Sequence, residues 1–294
     1  MIKTKIIATL GPATTHTENI KSLIDSGVNV FRLNFSHGSL EEHADVLNTI
    51  NKLRSESSHT PAVMGDLCGP KIRTSQIEHS QKSSYEGPER RGNPGLKKGD
   101  KVVIVPNMET GTINRFGTNY EHFNRDIKPG DRVLIDDGQI ELRVIDKDDN
   151  QTTCTVIVGG FIQSHKGINL PDTKVSTPSI TERDWECVAW AVEHQLDYLA
   201  LSFVRSDEEI NHLKKHLRDQ GSPIKIISKI EKPEAIDNLE SIVHVSDAVL
   251  VARGDLGVEM DLAQVPLIQK RITKMCRRLG KPVIVATQML QSMI

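Results

Sequence analysis

Short, nearly continuous apolar runs recur along the chain at residues 5–10, 28–33, 62–67, 198–203, 225–230, 248–252 and 282–286. Unbroken apolar runs of this length are what strands covered on both faces look like. The segments between them keep the spacing of one buried helical stripe: Ile20, Leu23 and Ile24; Trp185, Val188, Ala189 and Val192; Ile210, Leu213 and Leu217; Val265, Ile268, Ile272, Met275, Cys276 and Leu279. Capping boxes are expected at Thr15 to Glu18, Ser39 to Glu42 and Ser206 to Glu209, where hydroxyl and carboxylate satisfy orphan backbone donors reciprocally. Strand and helix alternating in this way predict an α/β fold with a parallel sheet. Polar motifs at the C-terminal ends of the runs favour a (β/α)8 barrel over an open sheet.

From about residue 75 to 174 the rhythm changes to period-2 strands at 101–105, 132–135, 140–145 and 153–158, with Asp137-Gly138 as a hairpin turn. The pattern predicts an inserted all-β domain at 75–174, dividing a barrel domain into residues 1–74 and 175–294. The insert follows the third barrel strand, so it is expected to close over the barrel mouth as a lid. Residues 76–95 carry almost no apolar side chain and predict a flexible surface loop, with Arg90 and Arg91 solvated.

Composition narrows the function classes. Lys and Arg total 37 against 39 Asp and Glu, a formal charge of -2 in 294 residues, so no field gathers nucleic acid or an anionic membrane. Any anion site must be local. Cys68, Cys154, Cys187 and Cys276 lie far apart in sequence, with no pairing that suits structural zinc, and are expected as reduced thiols. No apolar run reaches membrane-spanning length and the N-terminus has too short an apolar stretch for a secretory signal, which gives the cytoplasm as the expected location.

The polar motifs carry the chemistry. They are NFSHG after the second run, GDLCGPKIR after the third, SKIEKPE at the fifth, ARGDLG after the sixth, ATQML after the seventh, and HKGINLP near the end of the insert. In order, spacing and barrel position they resemble the motifs of the pyruvate kinase family. The resemblance implies transfer of a phosphoryl group from phosphoenolpyruvate to ADP, giving pyruvate and ATP.

It also implies roles. Glu231 and Asp255 are expected to bind Mg2+, with Mn2+ as the alternative divalent ion. Lys229 resembles the lysine that stabilises the transferring phosphoryl group, and Arg32 the arginine that holds the substrate phosphate. Gly254 and Asp255 resemble the site of the substrate carboxylate. Thr287 resembles the threonine beside the carbon that gains a proton. Asn34, His37, Arg73 and Lys166 match nucleotide-contacting positions. Asn34, Ser36, Asp66 and the carbonyl of Leu67 match the frame that holds K+ in many members. A homo-oligomer, a tetramer in the complete protein, follows from the same resemblance.

Two departures stand out. Potassium-requiring members generally have a glutamate where this chain has Lys71, whose ammonium can supply the ion's charge from within the protein. K+ dependence is therefore doubtful and activity without added K+ is expected. The chain also stops at QMLQSMI, so the barrel is expected to be truncated after its seventh strand, poorly folded and nearly inactive alone. Two alternatives remain open: a metal-dependent barrel lyase that handles pyruvate or phosphoenolpyruvate, which needs neither the β lid nor Lys229, and an inactive fragment.

Overall fold

The computed structural model describes residues 4–78 and 95–287. The chain forms two compact units, the first from Met1–Pro70, Ser179–Arg253 and Pro266–Ile294, the second from Lys71–Pro178 and Gly254–Val265.

In the first unit the strands Ile7–Thr9, Val30–Asn34, Ala62–Asp66, Tyr198–Leu201, Lys225–Ile230, Ala248–Ala252 and Val283–Ala286 pair in chain order into one 7-stranded sheet. Every pair is parallel, so all of these strands end on the same rim. One face buries Met64, Ala200, Ile227, Ala248, Leu250 and Ala252 together. The alternate residues Val63, Leu199, Ile226, Val249 and Val251 are buried as well, which is why the runs read as apolar throughout. Helices Thr17–Asp25 and Asp207–Asp219 bury residues of the expected stripes, Ile20 and Ile24, and Ile210, Leu213 and Leu217. Leu40–Glu56 buries Leu47, Ile50 and Leu53. On Glu182–Glu193 the expected stripe is corrected: Val188 is buried with Cys187, Trp190 and Ala191, while Ala189 is exposed and Trp185 and Val192 are half-buried, so the inward face is rotated from the one the spacing predicts. This is the α/β barrel arrangement, seven strands long among the described residues.

Some local expectations are corrected. Thr15 does not cap a helix with Glu18: the helix begins at Thr17 with His16 in the cap position and no side-chain cap bond. The reason is that the chain is held one step earlier, where Gly11 and Thr14 exchange bonds through Thr14 Oγ1 at 2.9 and 3.1 Å. The Ser39 and Glu42 box forms, Ser39 Oγ accepting from Glu42 N at 3.2 Å and Glu42 accepting from Ser39 N at 2.8 Å. Gly254 and Asp255, which follow the sixth run and would be expected ahead of the next helix, instead sit within the first turn of Arg253–Glu259.

The second unit centres on a 6-stranded sheet in the order Ile168–Asn169, Arg132–Ile135, Ile140–Lys147, Thr152–Val158, Lys101–Pro106 and Arg115–Thr118. Val102, Ile104, Phe116, Phe123, Ile135, Leu142 and Val156 form its core. The Asp137-Gly138 turn joins Ile135 to Ile140 in register, both residues having positive φ as this tight hairpin requires. Of the loop expected at 76–95, residues 79–94, with Arg90 and Arg91, lie outside the described residues. Its start is not a loop: Gln76–Ile77 pairs with Thr110–Gly111, and Ile77 is buried because it joins the core of the unit.

Asp184 ties helix to strand. It is wholly buried; Oδ1 accepts from the amides of Cys68 and Gly69 at 2.8 and 3.2 Å, and Oδ2 accepts from the amide and hydroxyl of Thr181 at 2.9 and 2.6 Å. The turn that follows the third strand is thus clamped to the start of helix Glu182–Glu193. Replacing this carboxylate orphans several buried donors, so Asp184→Ala is expected to cost about 3 kcal/mol in urea unfolding. A loss under about 1 kcal/mol would show that the clamp is not a structural tie.

Candidate active site

The rim of the parallel sheet collects charge. Lys229 and Glu231 are two residues apart on the fifth strand and its end, so the pleat points both the same way. Arg32 and Asn34 project from the second strand, and Asn34 is the register partner of Asp66 on the third. The result is a chain of alternating signs. Arg32 Nε donates to Asp66 Oδ2 at 2.7 Å and its Nη2 lies 2.5 Å from the same oxygen. Arg32 Nη1 donates to Thr9 Oγ1 at the end of the first strand, 3.0 Å away. The Lys229 ammonium stands 3.2 Å from Asp66 Oδ1 and 3.0 Å from Glu231 Oε1.

Burial makes these pairs strong. Asp66 is 3% and Glu231 1% exposed, so each anion has lost its water and depends on the cations beside it. Burial alone would push the Lys229 pKa down; the carboxylates of Glu231 and Asp66 outweigh it and hold the pKa above the ordinary 10.5. Lys229 is therefore a fixed positive charge at neutral pH. Because the folded value is the raised one, its contribution to stability is complete below 10.5 and is lost as pH climbs through the folded value.

The backbone around the cluster is strained. Phe203 has φ 54°, a left-handed conformation unfavourable for an aromatic residue, and its amide donates to Glu231 Oε2 at 2.8 Å. Gly69, at φ 66°, packs on it: a Cβ there would stand 2.6 Å from the Phe203 ring. Ser202 lies between, its hydroxyl donating to the Leu67 carbonyl at 2.6 Å. Ser202 is not among the motif residues, and its one signal in the sequence is a polar side chain inside the apolar run 198–203. Asp184 is not among them either, although it is readable as the third residue after Thr181.

Other candidates take the following positions. His37 is exposed and its carbonyl meets His43 Nε2 at 3.0 Å. Asn34 and His37 line a cavity of about 630 Å3 with Thr9, Gly11, Pro12 and His43, a volume suited to a small ligand. In the second unit, Arg73 Nη1 donates to the His165 carbonyl at 2.8 Å, and the Lys166 ammonium pairs with Asp136 at 2.9 Å. Lys71 is exposed. Asp255 is exposed in its helical turn, and Arg253 donates to the carbonyls of Ala286 and Thr287, both at 2.9 Å, fixing the end of the seventh strand where Thr287 has φ 72°.

The oxygen donors suit hard cations. Among the described residues no three His, Cys, Asp or Glu side chains gather into a metal cage. Mg2+ does not need one, since it is commonly held by one or two carboxylates with substrate and water oxygens filling the rest. Glu231, at the end of the fifth strand, offers one such carboxylate. Asp66 Oδ1 is buried without a hydrogen bond of good geometry, a further acceptor in reserve.

Removing the shared cation takes a positive charge from two buried carboxylates and leaves Arg32 to face Asp66. Lys229→Met is expected to lower stability by about 3–5 kcal/mol in urea unfolding at pH 7.5, the deficit narrowing as alkaline pH removes the wild-type lysine's charge. A change under about 1 kcal/mol at pH 7.5 would mean that water, not Lys229, compensates the carboxylates.

Comparison with known proteins assigns the arrangement. The family model of the pyruvate kinase barrel domain matches residues 1–294. Pyruvate kinase from Staphylococcus aureus strain MRSA252 is 42% identical over 295 residues, covering 100% of this chain and 48% of that protein. The same enzyme from strain USA300 is 41% identical with the same coverage. The chain thus spans about half the length of the curated relatives it matches. A crystal structure of a pyruvate kinase from Cryptosporidium parvum superposes with a TM-score of 0.88 at 35% identity, over 99% of this chain and 59% of that one. Neither open alternative, the lyase or the inactive remnant, is favoured by these matches, and the chain belongs to the pyruvate kinase family.

Proposed function

We propose that this chain carries the phosphoryl-transfer site of a pyruvate kinase, moving phosphate between phosphoenolpyruvate and ADP and protonating the resulting enolate to pyruvate. The observation that supports it most is the Arg32, Asp66, Lys229 and Glu231 chain, in which two cations are held at one rim by buried carboxylates. Phosphoryl transfer needs little from a protein beyond alignment and neutralisation of charge on the equatorial oxygens. Lys229, already charged and immobilised, meets that charge without reorganising. Arg32, at 25% side-chain exposure, keeps enough access to grip the substrate phosphate.

Glu231 and Asp255 would hold Mg2+, which when bound neutralises substrate oxygens and orients them. Gly254 and Asp255 supply first-turn amides for the substrate carboxylate, and the Thr287 hydroxyl stands by the carbon that gains a proton. Asn34 and His37, with Arg73 and Lys166, contact the nucleotide. Asn34, Ser36, Asp66 and the Leu67 carbonyl form the monovalent-cation frame, with the Lys71 ammonium taking over the ion's role. A homotetramer in the cytoplasm completes the reading. No helix among the described residues is long and apolar enough to cross a membrane.

A coupled assay of the complete gene product tests the reading. ATP should form from phosphoenolpyruvate, ADP and Mg2+, and Lys229→Met should lower kcat by about 100-fold or more with a smaller effect on KM. Carbon bond cleavage instead would point to the lyase, and no turnover to a remnant. Turnover in tetramethylammonium buffer should match that in K+; a large K+ stimulation would remove Lys71 from the mechanism. Lys71→Glu is expected to create a K+ requirement.

A further inference from the structure

The Lys229 ammonium stands between two carboxylates, 3.0 Å from Glu231 Oε1 and 3.2 Å from Asp66 Oδ1. The third partner is Ser202, whose Oγ lies 2.8 Å from Lys229 Nζ. An ammonium only donates, so the serine oxygen accepts from it. Its own single proton is directed elsewhere, to the Leu67 carbonyl at 2.6 Å. The two bonds therefore have fixed directions. Ser202 is 2% exposed, and water cannot readily replace it.

The anchor beneath Ser202 is itself held. The Leu67 amide donates to the Ala200 carbonyl at 3.0 Å, and the next two amides, Cys68 and Gly69, are clamped by buried Asp184. Gly69 fits against Ser202 because it lacks a side chain: a Cβ there would be 3.2 Å from the Ser202 Cβ. A line of bonded groups runs from the start of helix Glu182–Glu193 through the turn after the third strand to the amine on the fifth.

We infer that Ser202 is a positioning residue for phosphoryl transfer, fixing the Lys229 ammonium by a hydrogen bond anchored on the Leu67 carbonyl. The carboxylates supply attraction but little direction, since each offers several lone pairs over a wide arc. The hydroxyl supplies direction. Without it the amine keeps its charge and swings toward one carboxylate, away from where the phosphoryl group needs it.

The inference rests on the proposed phosphotransfer, and the experiment separates the two. In the complete gene product, Ser202→Ala should lower kcat by about 10- to 100-fold, as loss of a supporting partner does. The nucleotide KM should stay within about twofold, because Ser202 lies outside the cavity lined by Asn34 and His37. Ser202→Thr, which keeps the hydroxyl, should recover most of the rate. A crystal structure of Ser202→Ala should show the Lys229 amine displaced or in two rotamers. An Ala variant with wild-type kcat, or equal losses in the Ala and Thr variants, would overturn the inference. If the unmutated protein transfers no phosphate, the functional reading fails, and the position of the amine in the variant crystal decides the Ser202 bond by itself.

Discussion

A lysine ammonium at 15% side-chain exposure is tolerable only because carboxylates stand on either side of it. Asp66 and Glu231 are in turn tolerable only because Lys229 and Arg32 face them. Each charge would be costly alone, and as a set they are mutually compensated. The sheet provides the set by geometry: parallel strands bring residues distant in sequence, from Thr9 to Glu231, to one rim at fixed spacing. Packing then supplies what charge cannot, since Gly69 against Phe203 and Asp184 beneath the turn leave the loops little freedom.

The same economy of residues appears in the strained Phe203. Its left-handed backbone aims an amide at Glu231, so a carboxylate that balances Lys229 also receives a neutral donor. Strain of this kind persists where the surroundings over-determine it. Here the ring against Gly69 and the carboxylate against the amide do so together.

Much of this was legible beforehand because the strongest physical signals are periodic or local. All seven barrel strands announced themselves as apolar runs, and the Asp137-Gly138 turn followed from the positive φ that a tight hairpin demands. Lys229 and Glu231 could be paired from a spacing of two on one strand. Short elements such as Thr110–Gly111 and Ile168–Asn169 were invisible, since two residues carry no period. The spacing of Thr15 to Glu18 fits a cap, yet a local turn, in which Gly11 and Thr14 exchange bonds three residues apart, competes with it, and the helix starts at Thr17. Asp66 was readable as one member of an ion frame. That it also links Arg32 to Lys229 depends on side-chain reach across strands, which spacing along one strand does not encode.

The central claim is that Lys229 is a permanently charged group held between Asp66 and Glu231. A nitrogen-15 NMR titration of the lysine amines, with Lys229 assigned by its loss in Lys229→Met, reads that charge directly. The amine should show no inflection at or below its ordinary value of 10.5. An amine that loses its proton below that value would mean burial outweighs the carboxylates, and the account would be wrong.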